Sequence, residues 1–110
     1  FGDIGSKVIQ ERKVMSQDGM MIILFRAYQE SKRLLAEPDI ISRGFVYVKE
    51  SQAIAQETKQ VAQKAFETVT QNNKAIDLKD LKMEIAQHVN RFIRKRLGRE
   101  PMILPILVYV

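Results

Sequence analysis

The strongest constraint on the fold of this 110-residue chain is its last segment, residues 102–110, which reads MILPILVYV. This segment is apolar on both faces of a strand and rich in the β-branched and aromatic residues that favour sheets. Such a strand is an aggregation hazard when it lies in water. We therefore expect residues 102–110 to insert into a sheet of this chain or of a partner.

A second β-prone segment occupies residues 20–28. It runs MMIILF before its first charge at Arg26, so we expect both faces to be covered in its first half. Residues 29–32 predict a polar turn, and residues 33–37 can return antiparallel to the first strand. A further β-rich piece, residues 45–48, follows a glycine.

The interval between these β-rich pieces, residues 39–44, predicts an irregular excursion or a bulged corner, because Pro38 removes a backbone donor just before it. Local hydrogen bonds from Asp39 and Ser42, with Gly44 at positive φ, would stabilise such a corner. Arg43 could project from it and pair with a carboxylate of a neighbouring domain or with a phosphate.

Two amphipathic helices are predicted in the second half of the chain. In residues 51 to about 72, Ile54, Val61, Ala65 and Val69 fall on one stripe. A second helix starts at Asp77, which forms a capping-box-like pair with the acid three residues later, and ends at a glycine, residue 98. Because only about four residues separate the two helices, we expect an antiparallel pair.

These elements predict an α+β fold in the order (α)-β-β-α-α-β. The sheet is small, mixed and three- or four-stranded, and two amphipathic helices cover one of its faces. Residues 1–19 are interpreted as a connector with a short helix or hairpin arm, and residues 20–110 as the domain itself. The chain begins at Phe1 in a loop-like stretch, which suggests a domain cut from a longer protein.

Catalysis is disfavoured because the chain has no cysteine and only one histidine, His88. Metal-dependent hydrolases and most acid–base enzymes need several such groups at one point. We interpret His88 as a structural histidine near the apolar stripe of its helix, and we expect no metal or cofactor in this chain. The absence of cysteine suits a reducing cytoplasm, and no apolar run approaches the roughly 20 residues of a membrane span.

The excess of positive charge, +5 in total, is concentrated within residues 91–99, which contain no acid. Such a patch can attract phosphates. Alternatively, cations in the last turns of a helix offset its negative end. With Arg43, the candidate RNA contacts are Arg91, Arg94, Lys95, Arg96 and Arg99.

Residues 38–48, PDIISRGFVYV, together with residues 101–106, PMILPI, resemble the C-terminal domain of bacterial ribonuclease J. Residues 2–5 and 15–19 match the same family. The resemblance implies a small sheet with two helices that supports activity and assembly of a zinc-dependent metallo-β-lactamase/β-CASP ribonuclease, which trims RNA from its 5′ end and also cuts internally. The family's metal-binding histidines lie upstream of this chain, so none of them can be assigned here.

Two positions depart from the family's usual pattern. Glu100 stands where a second basic residue is common before the proline, and residues 108–110 replace an ending that is often acidic. Neither position is catalytic, but both bear on contacts of the C-terminal strand.

The resemblance implies a non-catalytic domain that supports assembly with a second copy or a related paralogue, or docking onto the catalytic domains of the same chain. RNA would be held at the basic end of the second helix. Zinc would belong to the parent enzyme. The alternative is an RNA-binding module whose main task is to grip substrate through that basic patch. For assembly, the interface candidates are Met102, Ile103, Leu104, Ile106, Val108 and Tyr109.

Overall fold

The computed structural model describes residues 18–44 and 51–110. Its elements follow in the order β1 (Met20–Ala27), β2 (Asp39–Arg43), α1 (Ser51–Asn72), α2 (Leu78–Leu97) and β3 (Met102–Tyr109). The predicted arm in residues 1–17 and the β-rich residues 45–48 lie outside the described residues.

The three strands form one mixed sheet in the order β2-β1-β3. β2 runs antiparallel to β1, and β3 runs parallel to it. The predicted α+β fold is thus confirmed, including the prediction that the apolar residues at 102–110 join a sheet. Neither helix in the described part of the chain is long and apolar enough to cross a membrane.

The core lies between the helices and one face of the sheet. Alternate residues of β1 are buried, namely Met21, Ile23, Phe25 and Ala27, as the period of two in a strand requires. α1 contributes Phe66, whose ring stacks on Phe25 with centroids 5.2 Å apart. The buried stripe of α2 repeats every three to four residues and consists of Leu81, Ile85, Val89 and Ile93.

The ends of α2 are fixed by the residues that the sequence indicated. Asp77 Oδ1 accepts a hydrogen bond from the backbone N–H of Asp80 at 2.8 Å, which satisfies one donor of the first turn. Gly98 lies in the left-handed region at φ 66° and donates its N–H to the carbonyl of Arg94 at 2.8 Å. The helix therefore begins and ends as predicted.

The predicted irregular corner at residues 39–44 is wrong, because Asp39–Arg43 is a regular strand. Ala27 is bridged to Leu34, and the pairing resumes at Leu24 with Asp39. Three steps along β1, from Leu24 to Ala27, therefore correspond to five steps along the returning chain, from Leu34 to Asp39. The two extra residues form a bulge before Asp39, four residues earlier than predicted. Pro38 is buried beside it and precedes the edge strand, a position that tolerates its missing N–H.

Gly44, at the end of β2, does have the predicted positive φ, at 70°. A Cβ at this position would lie 3.4 Å from the Cα of Gly19. The two chain segments therefore approach closely where β1 begins and β2 ends.

Candidate functional site

The surface of the sheet opposite the helices is apolar and only partly covered. Side chains alternate along a strand, so the pairing register places one set from all three strands on this surface, which we call the open sheet face. Its members are Met20, Ile22, Leu24, Arg26, Asp39, Ile41, Arg43, Met102, Leu104, Ile106 and Val108.

Four large apolar side chains of the open sheet face, Ile41, Leu104, Ile106 and Val108, are between 38% and 47% exposed. In the first half of β1, where we expected both faces to be covered, Met21 and Ile23 are buried on the helix side, and Met20 and Ile22 on the open sheet face are half-buried. β1 and β3 have eight residues each and are about 26 Å long, and β2 has five residues and is about 17 Å long. With strands about 4.8 Å apart, the face has a plan area of about 330 Å². An apolar patch of that size on a single chain is typical of a functional surface.

An ion pair interrupts this apolar surface. The Nη2 atom of Arg26 lies 2.8 Å from Oδ2 of Asp39, and the two side chains are 44% and 47% exposed. Asp39 therefore pairs across the strands instead of capping a local turn. A half-exposed pair of this kind contributes only about 0.2–1 kcal/mol to folding, and it neutralises the charge at the end of the face where β1 ends and β2 begins.

The structure divides the interface candidates of β3 between two surfaces. Leu104, Ile106 and Val108 lie on the open sheet face with Met102, whereas Ile103 and Tyr109 are turned to the helices and pack against the core. Sequence reasoning missed the contributions of β1 and β2 to this face. Their signal is an apolar residue at every position of β1 except Arg26, which indicates two apolar faces but not which of them the helices cover.

The basic end of α2 is less positive than the sequence suggested, because acids from other parts of the chain pair with it. Arg94 Nε lies 2.7 Å from Glu100 Oε1, and Arg96 Nε lies 3.2 Å from Glu57 Oε2. Arg99 is 4.0 Å from Asp18, whose other carboxylate oxygen accepts the backbone N–H of Glu100 at 3.0 Å. Three of the predicted RNA contacts thus already have carboxylate partners.

The other predicted RNA contacts are exposed side chains. Arg91 and Lys95 lie on α2, and Lys95 is in its last turn, where a cation also offsets the negative end of the helix. Arg43 ends β2 on the open sheet face. The structure therefore does not gather these cations into one compact pocket with the paired arginines.

His88 occupies a groove between the helices, and its Nδ1 donates to the carbonyl of Glu84 at 2.8 Å. This bond within one helix gives His88 the structural role that its position predicted. Within residues 18–44 and 51–110, no three His, Cys, Asp or Glu side chains converge closely enough to hold a metal ion. The described residues therefore do not fit a zinc site.

The fold and this site define a class: small α+β domains with two helices on one side of a mixed sheet and an apolar face on the other. Within that class the chain belongs to the ribonuclease J C-terminal domain family, whose profile matches residues 7–110.

Similar full-length proteins come from several bacteria. Ribonuclease J2 of Bacillus subtilis (strain 168) is 33% identical over 109 residues, which are 99% of this chain and 20% of that protein. Ribonuclease J 2 of Staphylococcus saprophyticus is 31% identical over 96% of this chain, and that of Staphylococcus aureus (strain NCTC 8325) is 30% identical over 97%; in both, the match covers 19% of the relative. This chain therefore spans about a fifth of the length of these ribonucleases.

Proposed function

We propose that this chain is a non-catalytic assembly domain of a ribonuclease J-type enzyme, and that it pairs with a second copy of itself through the open sheet face. The observation that supports this proposal is the cluster of exposed apolar side chains on a flat three-stranded surface, with Leu104, Ile106 and Val108 on one strand and Ile41 on another. Burial of such a surface is the main driving force of protein association.

A second copy fits the open sheet face for reasons of charge and symmetry. Although the chain carries a net charge of +5, Arg26 and Asp39 neutralise each other at one end of the face. Arg43, at the other end, is the one further charged member of the face among the described residues. Two such faces can approach without repulsion around the ion pair. A two-fold axis places the same apolar patch on both sides, and two sheets pack at about 10 Å through interdigitating side chains.

The size of the face sets the strength of this association. A stable interface buries about 800 Å² on each partner, whereas the open sheet face offers about two fifths of that in plan. We therefore expect a weak dimer with a Kd on the order of micromolar for this chain alone. In a longer ribonuclease, contacts between other domains would strengthen it.

RNA cleavage, including trimming from the 5′ end and internal cutting, is assigned in this proposal to domains outside this chain. Zinc is assigned there as well, since the described residues of this chain do not fit a zinc site. A cytoplasmic location is proposed with the same function, because the chain has no cysteine.

A second candidate function is RNA holding at the end of α2. Arg91 and Lys95 favour it, because both are exposed and neither forms an ion pair with a carboxylate among residues 18–44 and 51–110. The acids beside Arg94, Arg96 and Arg99 count against it, since they reduce the local potential that would attract phosphate.

Sedimentation equilibrium over a wide concentration range tests the dimer. Leu104→Lys/Ile106→Lys adds two charges to the open sheet face and should hold the chain monomeric. The matched control is Leu78→Lys/Met83→Lys, which alters two similarly exposed apolar residues of α2. This control should dimerise like the unmodified chain, and thermal unfolding followed by circular dichroism should be similar for all three proteins.

Two results would contradict the proposal. An unmodified chain that stays monomeric up to millimolar concentration would indicate that the open sheet face serves another occupant, such as the catalytic part of the same polypeptide. Loss of the dimer in both lysine variants would show that added charge prevents association wherever it is placed, and would remove the evidence for this face.

A further inference from the structure

A cationic cavity of about 390 Å³ opens between the turn after β1 and the last turns of α1. It lies on the helix side of the molecule and shares no residue with the open sheet face. One wall consists of residues 31–34. The other consists of Glu67, Thr70 and Gln71 near the end of α1, with Lys74 two residues beyond the helix.

Three cations line this cavity: Lys32, Arg33 and Lys74. None of them forms an ion pair with a carboxylate of the described residues. The one acid of the wall, Glu67, instead accepts a hydrogen bond from Gln63 at 3.1 Å. The cavity wall therefore carries an excess of positive charge.

Lys32 is held in place more firmly than a surface lysine usually is. Its backbone has a positive φ of 60°, and its N–H donates to the carbonyl of Tyr28 at 2.9 Å. Its ammonium lies over the ring of Tyr109, 4.3 Å from the centroid, which is a cation–π contact. Preorganisation of this kind lowers the entropic cost of binding an anion.

An exposed aromatic ring stands next to the cationic cavity. Tyr28 is 51% exposed and lines an adjoining cavity of about 410 Å³ with Glu30 and Val110. Ser31 belongs to the walls of both cavities. A cationic site beside an exposed ring is the combination by which proteins bind single-stranded nucleic acid, with phosphates on the cations and bases stacked on the ring.

We infer that these two adjoining cavities bind a nucleotide unit, either free or within single-stranded RNA. The phosphate lies among Lys32, Arg33 and Lys74, and the base stacks on Tyr28. Glu30 is placed to accept a hydrogen bond from an exocyclic amine of the base. This inference does not depend on the dimer, because the site lies away from the open sheet face.

Fluorescence anisotropy with a labelled oligocytidylate of about ten nucleotides tests the site, with salt varied from about 50 to about 200 mM. Lys32→Gln/Arg33→Gln/Lys74→Gln should flatten the slope of log affinity against log salt by about 0.7, the contribution of one phosphate contact on a single strand. Over that salt range the difference corresponds to about 2.6-fold in affinity.

The charge-matched control is Lys64→Gln/Lys79→Gln/Lys82→Gln, which removes three cations of α1 and α2 that line neither cavity. It should leave the slope within about 0.2 units of the unmodified value. Tyr28→Ala should weaken oligonucleotide binding by about tenfold and Tyr28→Phe should not, because stacking needs the ring and not the hydroxyl. Inorganic phosphate, titrated in NMR spectra, should shift the resonances of Lys32 equally in both Tyr28 variants.

Titration with cytidine monophosphate separates the two sources of the ligand. Similar affinity for the mononucleotide and the oligonucleotide identifies a free nucleotide as the ligand, and much tighter binding of the oligonucleotide identifies RNA. The inference is overturned if neither probe binds, or if the control variant loses as much affinity as the cavity variant. The latter result would show that binding follows the overall positive charge of the chain and not this site.

Discussion

The ion pair on the open sheet face gives the most discriminating prediction, because removing one partner should affect assembly far more than folding. In the free chain, Asp39→Ala breaks a half-exposed pair and should lower the free energy of unfolding by less than about 1 kcal/mol. In the dimer, the same change leaves Arg26 uncompensated on both sides of the interface. Complete burial of an unpaired charge costs about 3–5 kcal/mol.

Arg26 is nearly half exposed in the free chain, and a thin interface leaves it partly hydrated. We therefore expect the free energy of dimerisation to weaken by about 1.4 kcal/mol for each copy. Each copy then raises the Kd of the dimer about tenfold, and the two copies together raise it about a hundredfold. Arg26→Met/Asp39→Leu removes both charges together. It should restore dimerisation to the original strength or exceed it, because an apolar pair has no desolvation cost.

Sedimentation equilibrium measures the Kd, and urea denaturation at low protein concentration measures the stability of the monomer. If Asp39→Ala weakens the dimer by less than about threefold, or if the double substitution fails to restore it, the pair does not lie in the interface. A loss of more than about 1.5 kcal/mol in the monomer would show that the pair stabilises the fold, contrary to its exposure.

Three further substitutions test the fold. Phe66→Ala should lower the free energy of unfolding by about 3–5 kcal/mol in urea, because the ring is fully buried on Phe25; a loss below about 2 kcal/mol would contradict the observed packing. Gly98→Ala should cost about 1–2 kcal/mol through its left-handed backbone alone, since no atom lies within 4 Å of the added Cβ, and an unchanged melting temperature would refute this. Asp77→Ala should cost about 1 kcal/mol, and a Ser replacement should recover most of that loss in thermal unfolding.

The helices were predictable because their signals are local. The apolar residues that form a stripe recur within one or two turns of each other. The residues that begin or end a helix act within its first or last turn. Even here the spacing of apolar residues does not give every buried position: Leu78, at the start of α2, is 43% exposed, whereas Ile93 near its end is fully buried. Which side of a helix meets the sheet depends on the packing of the whole domain, and local periodicity gives it only approximately.

The strand β2 was misplaced because turn-forming residues occur within it. Asp39 and Ser42 favour turns in isolation, but an edge strand tolerates them, and the carboxylate of Asp39 finds a cross-strand partner in Arg26. The bulge before Pro38 depends on pairing with β1, which no short window of sequence encodes.

The candidate sites were predictable only in part. The exposed residues of β3 were anticipated, because a doubly apolar strand must contact something on each face. Glu57 pairs with Arg96 at the basic end of α2, and Lys32 and Lys74 line one cavity. In both cases the residues are distant in sequence. Only the folded chain brings such residues together.

The parallel pairing of β1 with β3 has a consequence for folding kinetics. Met20 pairs with Met102, and the same offset continues to Ala27 and Tyr109, so every ladder bond of this pair closes a loop of about eighty residues. The helical hairpin can form early from neighbouring contacts, but its apolar stripe has no sheet to cover until the two distant strands meet. We therefore expect the β1–β3 ladder to form late in folding. Molecules that refold slowly should aggregate most readily before β3 has paired with β1.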